Sequence, residues 1–256
     1  MIAHGPATRR PGLLITRPRE QGEALAARIT QEGGQAWLFP TIEIQSLPQD
    51  PATVSALVRT AHWLVFISAN AVVRGWPWIA SVPRLPGSRL AAVGRATAER
   101  LAATSNQAVL HPLQGADSEA LLALPELASV TGQSIVIVRG RGGREVLKSA
   151  LESRGARVRY LECYARALPP ADLSLLDTAL SEQAWISIQS VEALENLWSL
   201  AGVGRHDLLK TRTFLAPHPR IAEAAMAHGI HQIHVTDPGN ESVLAFWKNH
   251  TKPLSS

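Results

Sequence analysis

The sequence predicts an α/β protein made of two flavodoxin-like parallel-sheet domains that arise from an internal duplication. Three observations carry that expectation. Short apolar runs alternate with amphipathic stretches along the chain, the pattern of parallel strands joined by helices. The segments from about residue 13 to 125 recur in the same order from about 135 to 247. Two longer extended runs, 37–47 and 157–168, each end at proline.

The first apolar run is Leu13-Leu14-Ile15-Thr16, followed by Arg17-Pro18-Arg19. Residues 20–31 then place Leu25 and Ile29 four apart, and Gly33-Gly34 stops that helix. Runs 63–67 and 89–93 are apolar and bounded by turn residues, so they read as buried strands. Residues 96–103 return to a helical pattern. The second copy opens at Ile135-Val136-Ile137-Val138, followed by Arg139-Gly140-Arg141, which sets Arg139 122 positions after Arg17. That offset also lays Leu25 on Leu147, Gly33 on Gly155, Trp63 on Trp185, Ser68 on Ser190 and Ala71 on Ala193. Near the end it drifts to 124, where Gly115 and Ser118 meet Gly239 and Ser242. Strands over 184–188 and 212–216 and a helix over 220–228 complete the copy.

Each extended run exceeds the roughly five or six residues of an ordinary strand. A strand that outruns its sheet can carry the chain from one sheet to another. One division is therefore 12–45 plus 171–252 as a discontinuous domain and 48–168 as an inserted one. One domain per copy, split near 128, is the simpler alternative.

The 256 residues are 46% apolar and 18% charged, ample for two modest cores. No run approaches the roughly 18 apolar residues of a membrane span. Residues 1–11 lack the apolar stretch of a secretory signal. Cys163 is the only cysteine, which excludes an intramolecular disulfide and points to the cytoplasm. Twenty-five basic residues against 21 acidic ones give +4, and arginine greatly outnumbers lysine. Its planar fork suits carboxylates and phosphates, so an anionic ligand is permitted. Because each copy carries helices enough to cover its own sheet, a monomer is expected.

In parallel α/β sheets, ligands bind where strand ends meet helix N-termini. The loop Arg139-Gly140-Arg141-Gly142-Gly143-Arg144 combines three arginines with glycines that let the backbone approach a ligand. It reads as a carboxylate or phosphate cradle, or as a loop with solvated arginines. It has neither the dinucleotide-binding nor the P-loop glycine spacing. Arg17 occupies the equivalent loop of the first copy. Ser68 with Asn70, and Ser190 in its copy, follow a strand and open a helix; they are helix caps or ligand donors. Gly94 and Thr97 follow the next strand, and the counterpart turn holds His218 and Arg220 between prolines and a helix. The turns at 115–118 and 239–242 look like paired caps. His228, His231 and His234 recur every three residues without accompanying cysteines or carboxylates, so no metal site is assigned. No nucleophile–base pair and no cofactor signature is present.

Taken together, Leu14-Ile15-Thr16-Arg17-Pro18, Phe66-Ile67-Ser68-Ala69-Asn70-Ala71-Val72, Ala92-Val93-Gly94 with Thr97, Gly115-Ala116-Asp117-Ser118, Val138-Arg139-Gly140 with Arg144, and Tyr164 resemble the uroporphyrinogen-III synthase family. The resemblance runs from about 13 to 247. It implies two α/β domains joined by a two-stranded β linker, with an active site in the cleft between them. The implied substrate is hydroxymethylbilane, a linear tetrapyrrole with eight carboxylates. Its cyclisation to uroporphyrinogen III inverts the last ring, loses water and feeds haem, sirohaem and cobalamin synthesis. The implied proton donor is Tyr164. Arg17, Ser68, Asn70, Gly94, Thr97, Arg139, Gly140, Arg144, Ser190, His218 and Arg220 are the implied substrate contacts, with no cofactor. The family's threonine-bearing turn reads Ala216-Pro217-His218-Pro219 here, so His218 or Arg220 stands where hydroxyls are expected. Two further readings compete: a non-enzymatic two-lobed binder of a polyanion, which would bind without turnover, and a nucleic-acid binder drawn from the 139–144 loop, which would show steep salt dependence.

Overall fold

The computed structural model describes residues 10–251. In chain order the elements are β1 (Leu13–Ile15), α1 (Arg19–Gln31), β2 (Ala36–Leu38), β3 (Glu43–Ser46), α2 (Pro51–Thr60), β4 (Trp63–Phe66), α3 (Ala69–Ile79), β5 (Arg89–Ala92), α4 (Arg95–Ser105) and β6 (Val109–Leu110). There follow α5 (Ser118–Leu122), β7 (Ser134–Gly140), α6 (Val146–Ser153), β8 (Arg157–Ala167), α7 (Leu173–Ser181), β9 (Trp185–Ser187), α8 (Val191–Ala201), α9 (His206–Lys210), β10 (Phe214–Ala216), α10 (Pro219–Ala227), β11 (Ile233–Val235) and α11 (Asn240–His250). The reading of residues 1–11 as lacking a signal falls largely outside the described residues. No described helix is long and apolar enough to cross a membrane.

The chain forms two compact units, Met1–Glu43 with Ala167–Ser256, and Ile44–Arg166. The first holds a five-stranded sheet in the order β11-β10-β9-β1-β2, with every pair parallel. Numbered within the unit, that is the 2-1-3-4-5 order of flavodoxin-like folds. β1 lies inside the sheet, between β9 and β2, with Leu13, Leu14 and Ile15 fully buried. Leu13 and Ile15 pack with Leu25 and Ile29 of α1 and with Val243, Leu244 and Trp247 of α11.

The second unit holds six strands in the order β3-β8-β7-β4-β5-β6. Its last five repeat the same pattern, with β7 and β8 in the places of β1 and β2. Alternation along each strand sends successive side chains to opposite faces. Leu64, Phe66, Val136 and Val138 pack with Val54, Val58, Val72 and Trp76 from α2 and α3. Trp63, Val65, Ile135 and Ile137 pack with Leu121, Leu147 and Leu151 from α5 and α6. The fold class read from the sequence is the fold observed.

The two extended runs resolve differently. Residues 157–167 form one continuous eleven-residue strand, β8. The run 37–47 breaks into β2 and β3. Phe39 and Thr41 donate back to Ile15 and Thr16 carbonyls, while Pro40 between them has no N–H to offer, and only beyond Ile42 does the chain join the second sheet. The paired cap turns also differ. Asp117, not Ser118, caps α5 by accepting from the Ala120 N–H at 2.8 Å, whereas Gly239 precedes α11 without a side-chain cap. What the turns share is backbone: Gly115 and Gly239 both have positive φ, +80° and +110°.

One glycine positions the strand ends that matter below. A Cβ built on Gly75 of α3 would lie 2.5 Å from Val138 and 3.2 Å from the Cys163 sulfur, so its absence lets α3 rest on β7 and β8. Gly75→Ala is therefore expected to overpack this contact and cost about 1–3 kcal/mol, read as a fall in the denaturant midpoint. An unchanged midpoint would show that α3 is free to shift.

Candidate active site

A parallel sheet with this strand order has one switch point, where neighbouring strands feed helices on opposite faces and the loops leave a crevice. In the first unit it lies between β1 and β9; in the second, between β7 and β4.

At the first switch point Thr16 and Arg17 follow β1, and Ile188, Gln189 and Ser190 follow β9. Thr16 Oγ1 donates to the Ser187 carbonyl at 2.7 Å. Gln189 Nε2 donates to Ser187 Oγ at 2.9 Å, which turns its carbonyl oxygen toward Arg17, and Arg17 Nη2 donates to that oxygen at 2.6 Å. Arg17 Nε is buried with no hydrogen-bond partner. Burial alone pushes the guanidinium below the ordinary arginine value, and no carboxylate lies beside it to raise it. A half-buried cation with an unsatisfied donor favours an anionic neighbour. Gln189, a partner the sequence reading did not single out, precedes the helix cap, and its only signal was that place.

The serines are caps. Ser190 Oγ accepts from the Ala193 N–H at 3.1 Å and Ser68 Oγ from the Ala71 N–H at 3.0 Å. Ser68 has a second partner: its Oγ lies 3.0 Å from the Tyr164 hydroxyl. His218 is also a cap. Its Nδ1 accepts from the Arg220 N–H at 3.1 Å, which directs the neutral ring's proton to an exposed Nε2. Arg220 is exposed.

The second switch point is more enclosed. Tyr164 of β8 stands beside Gly140 at the end of β7 and is 4% exposed. A Cβ on Gly140 would lie 2.6 Å from its ring, so only glycine lets the phenol lie flat against this backbone. Arg141 N–H donates to the Tyr164 carbonyl at 2.7 Å. Ile67, residues 139–144, Tyr164 and Arg166 line a pocket of about 120 Å³. Arg144 is exposed and pairs with Glu119 at 3.2 Å. Asn70 lies in the first turn of α3, two residues after Ser68, and is half-buried. Gly94 caps α4 where a Cβ would meet Ala116 at 2.7 Å, and Thr97 is buried on α4.

Arg139 is placed unlike its duplicate, and it is not the solvated arginine of the alternative reading. Its side chain is 2% exposed. Nε donates to the Gly140 carbonyl at 3.0 Å, Nη1 to Glu145 at 3.3 Å, and the guanidinium lies 4.5 Å from the Tyr160 ring centre. Tyr160 in turn donates to Glu145 at 2.7 Å. That hydrogen bond, then Arg139, holds the Glu145 carboxyl below its usual range, while burial and Glu145 push Tyr160 up to about 12. Among the described residues no group of three or more His, Cys, Asp or Glu could hold a metal. His228 pairs instead with Glu195 at 2.8 Å, and His234 lies 5.0 Å from Phe246.

The family model described as uroporphyrinogen-III synthase HemD matches residues 23–245. The uroporphyrinogen-III synthase of Escherichia coli is 35% identical over 248 residues, covering 91% of this chain and 97% of that one. The enzyme of the same name from Salmonella typhimurium is also 35% identical, with the same coverage. Among solved structures, the uroporphyrinogen-III synthetase of Helicobacter pylori aligns with TM-score 0.62 at 14% identity over 92% of this chain and 97% of that one. A uroporphyrinogen III synthase mutant from Thermus thermophilus aligns with TM-score 0.57 at 18% identity over 91% and 96%. At such identities these two speak to the fold.

Replacing either cap serine is expected to cost about 1 kcal/mol. Ser68→Ala should cost roughly 1 kcal/mol more than Ser190→Ala, because it also removes the partner of a buried phenol. Paired denaturant curves compare them, and equal losses would show that the Ser68–Tyr164 contact contributes nothing.

Proposed function

The chain belongs to the uroporphyrinogen-III synthase family, whose reaction is the cyclisation of hydroxymethylbilane, and from that premise we propose that the phenol of Tyr164 is its proton donor. The protein is a cyclising lyase of tetrapyrrole biosynthesis acting on a small-molecule substrate. The single observation that carries the proposal is the placement of the phenol: beside the carboxyl end of β7, against Gly140, and within hydrogen-bond reach of Ser68 at 3.0 Å.

The chemistry runs as follows. Tyr164 gives its proton to the terminal hydroxyl, the C–O bond breaks, and water leaves behind an azafulvene cation. The last pyrrole attacks through its substituted carbon to form a spiro centre, which reopens and closes with that ring inverted. A proton lost at closure balances the one donated. Ser68 already accepts from Ala71 N–H, so its own O–H is free to point at the Tyr164 oxygen and leave the phenolic proton for the substrate.

The substrate is a polycarboxylate, and the loop donors suit it. We assign carboxylate contacts to the half-buried Arg17 and to Arg144, with Arg220 and the Nε2–H of His218 replacing the turn hydroxyls. The backbones at Gly140 and Gly94, and the side chains of Asn70, Thr97 and Ser190, complete the assigned contacts. The reading includes a discontinuous domain of 12–45 with 171–252 and an inserted domain of 48–168, which the two compact units support. It also includes a cytoplasmic monomer, supported by the single, buried Cys163 and by helices on both faces of the second sheet.

The test is incubation with freshly made hydroxymethylbilane followed by separation of the isomers. Isomer III should form ahead of spontaneous closure; isomer I alone at the spontaneous rate would sink the assignment. Tyr164→Phe should slow isomer III formation by on the order of 10²–10⁴ without unfolding the protein, and unchanged turnover would remove the phenol's role. Arg17→Gln should raise KM by roughly tenfold or more, the worth of one charge-assisted hydrogen bond.

A further inference from the structure

The least expected arrangement is the buried guanidinium of Arg139. At 2% exposure the side chain is almost wholly taken up by its own surroundings, although Arg139 borders the pocket at the end of β7. Those surroundings are specific. Its Nε holds the Gly140 carbonyl, the same residue whose backbone lies against the Tyr164 ring. Its Nη1 reaches Glu145, at the far end of the glycine-rich loop. Between these ends, Gly143 adopts φ +99°, and a Cβ there would lie 2.8 Å from Arg139 Nη2, so the loop backbone passes directly over the guanidinium. Below, the guanidinium lies 4.5 Å from the centre of the Tyr160 ring, and Tyr160 anchors Glu145 from the other side. The strand supplies one more fixed point. β7 shifts register between Arg139 and Gly140, and the Cys163 thiol contacts the Arg139 carbonyl at 3.4 Å across that irregularity.

We infer that Arg139 is a positioning residue: it binds no substrate, but staples both ends of the 140–145 loop so that the loop backbone and the Tyr164 phenol keep one relative placement. The inference rests on Tyr164 being the proton donor. Lysine cannot replace arginine here. One ammonium lacks the fork that serves two acceptors in different directions, and it does not stack flat on a ring. Glu145 and Tyr160 belong to the same device, with Glu145 as the exposed end.

The experiment compares Arg139→Lys, Glu145→Gln and Tyr164→Phe in steady-state kinetics on hydroxymethylbilane, with the isomer I to isomer III ratio as a second readout. Arg139→Lys should lower kcat by on the order of ten- to a hundredfold with KM nearly unchanged, and should let more isomer I escape. Glu145→Gln, on the surface and therefore safe for folding, should move both readouts the same way by less, and it carries the test if Arg139→Lys does not fold. A rise in KM at constant kcat would make Arg139 a substrate ligand and overturn the inference. Unchanged kinetics in both variants would overturn it too. The two assignments fail distinguishably: a normal Tyr164→Phe beside a slow Arg139→Lys removes the phenol's role and, with it, the inference that Arg139 acts by placing the phenol, whereas a slow Tyr164→Phe beside normal Arg139→Lys and Glu145→Gln removes the staple alone.

Discussion

Everything in this molecule depends on a constraint of parallel sheets: neighbouring parallel strands cannot be joined by a tight turn, so each pair needs a crossover. Here the two crossover units that complete the sheets, β1–α1–β2 and β7–α6–β8, come from opposite copies of the duplication. β1 hydrogen-bonds to β2 on one side and β9 on the other. β7 does the same between β8 and β4. Remove either strand and its sheet falls into two pieces with raw edges. Each therefore sits at a switch point, and the residue that follows its apolar core inherits a place in the crevice. Arg17 and Arg139 are where they are because Leu13–Ile15 and Ile135–Val138 must be central.

The duplicated positions nonetheless diverged, and the cause is strand length. β1 ends at Ile15, so Arg17 emerges past the sheet and rests on Gln189 with a donor unused. β7 continues to Gly140, so Arg139 is still inside the ladder when its side chain turns under the following loop. In one unit the arginine offers charge outward. In the other it spends its charge on the protein, against Glu145 and the Gly140 carbonyl. A buried, paired guanidinium adds little net stability, but it fixes geometry, because any other arrangement leaves a charge unpaired in a dry place.

This difference marks how far the sequence could be read. Periodicity and the 122-residue offset were enough for the fold class, because burial of alternating strand residues is a local pattern repeated twice. The cap role of Ser68 and Ser190 was equally local. Three things were not. The break in the run 37–47 was signalled only by Pro40, which 157–167 lacks; where the broken backbone goes, to the Ile15 and Thr16 carbonyls, was not. The orientation of Arg139 depends on a register shift opposite β8, which leaves no trace in residue types. The Gln189–Arg17 pair joins residues 172 apart. Contacts made across the sheet, rather than along the chain, were the part that composition and spacing could not supply.

Such contacts carry particular weight in a reaction of this kind. The substrate closes on its own into the wrong isomer, so the enzyme's task is to separate two cyclisations of one reactive cation. Each tenfold preference corresponds to about 1.4 kcal/mol between the competing transition states. A hundredfold excess thus needs roughly 2.7 kcal/mol, no more than a few well-placed hydrogen bonds provide. No nucleophile or metal is needed to supply that, but the donors must hold still, since a bilane able to drag the loop along would gain equal stabilisation in both closures. A staple of one guanidinium between Gly140 and Glu145, above a ring and below a glycine backbone, resists that motion in several directions at once. The absence of a conventional catalytic constellation in the sequence and the contacts that tie this loop to one guanidinium are then two consequences of the same demand, selection between geometries rather than creation of a new reaction path.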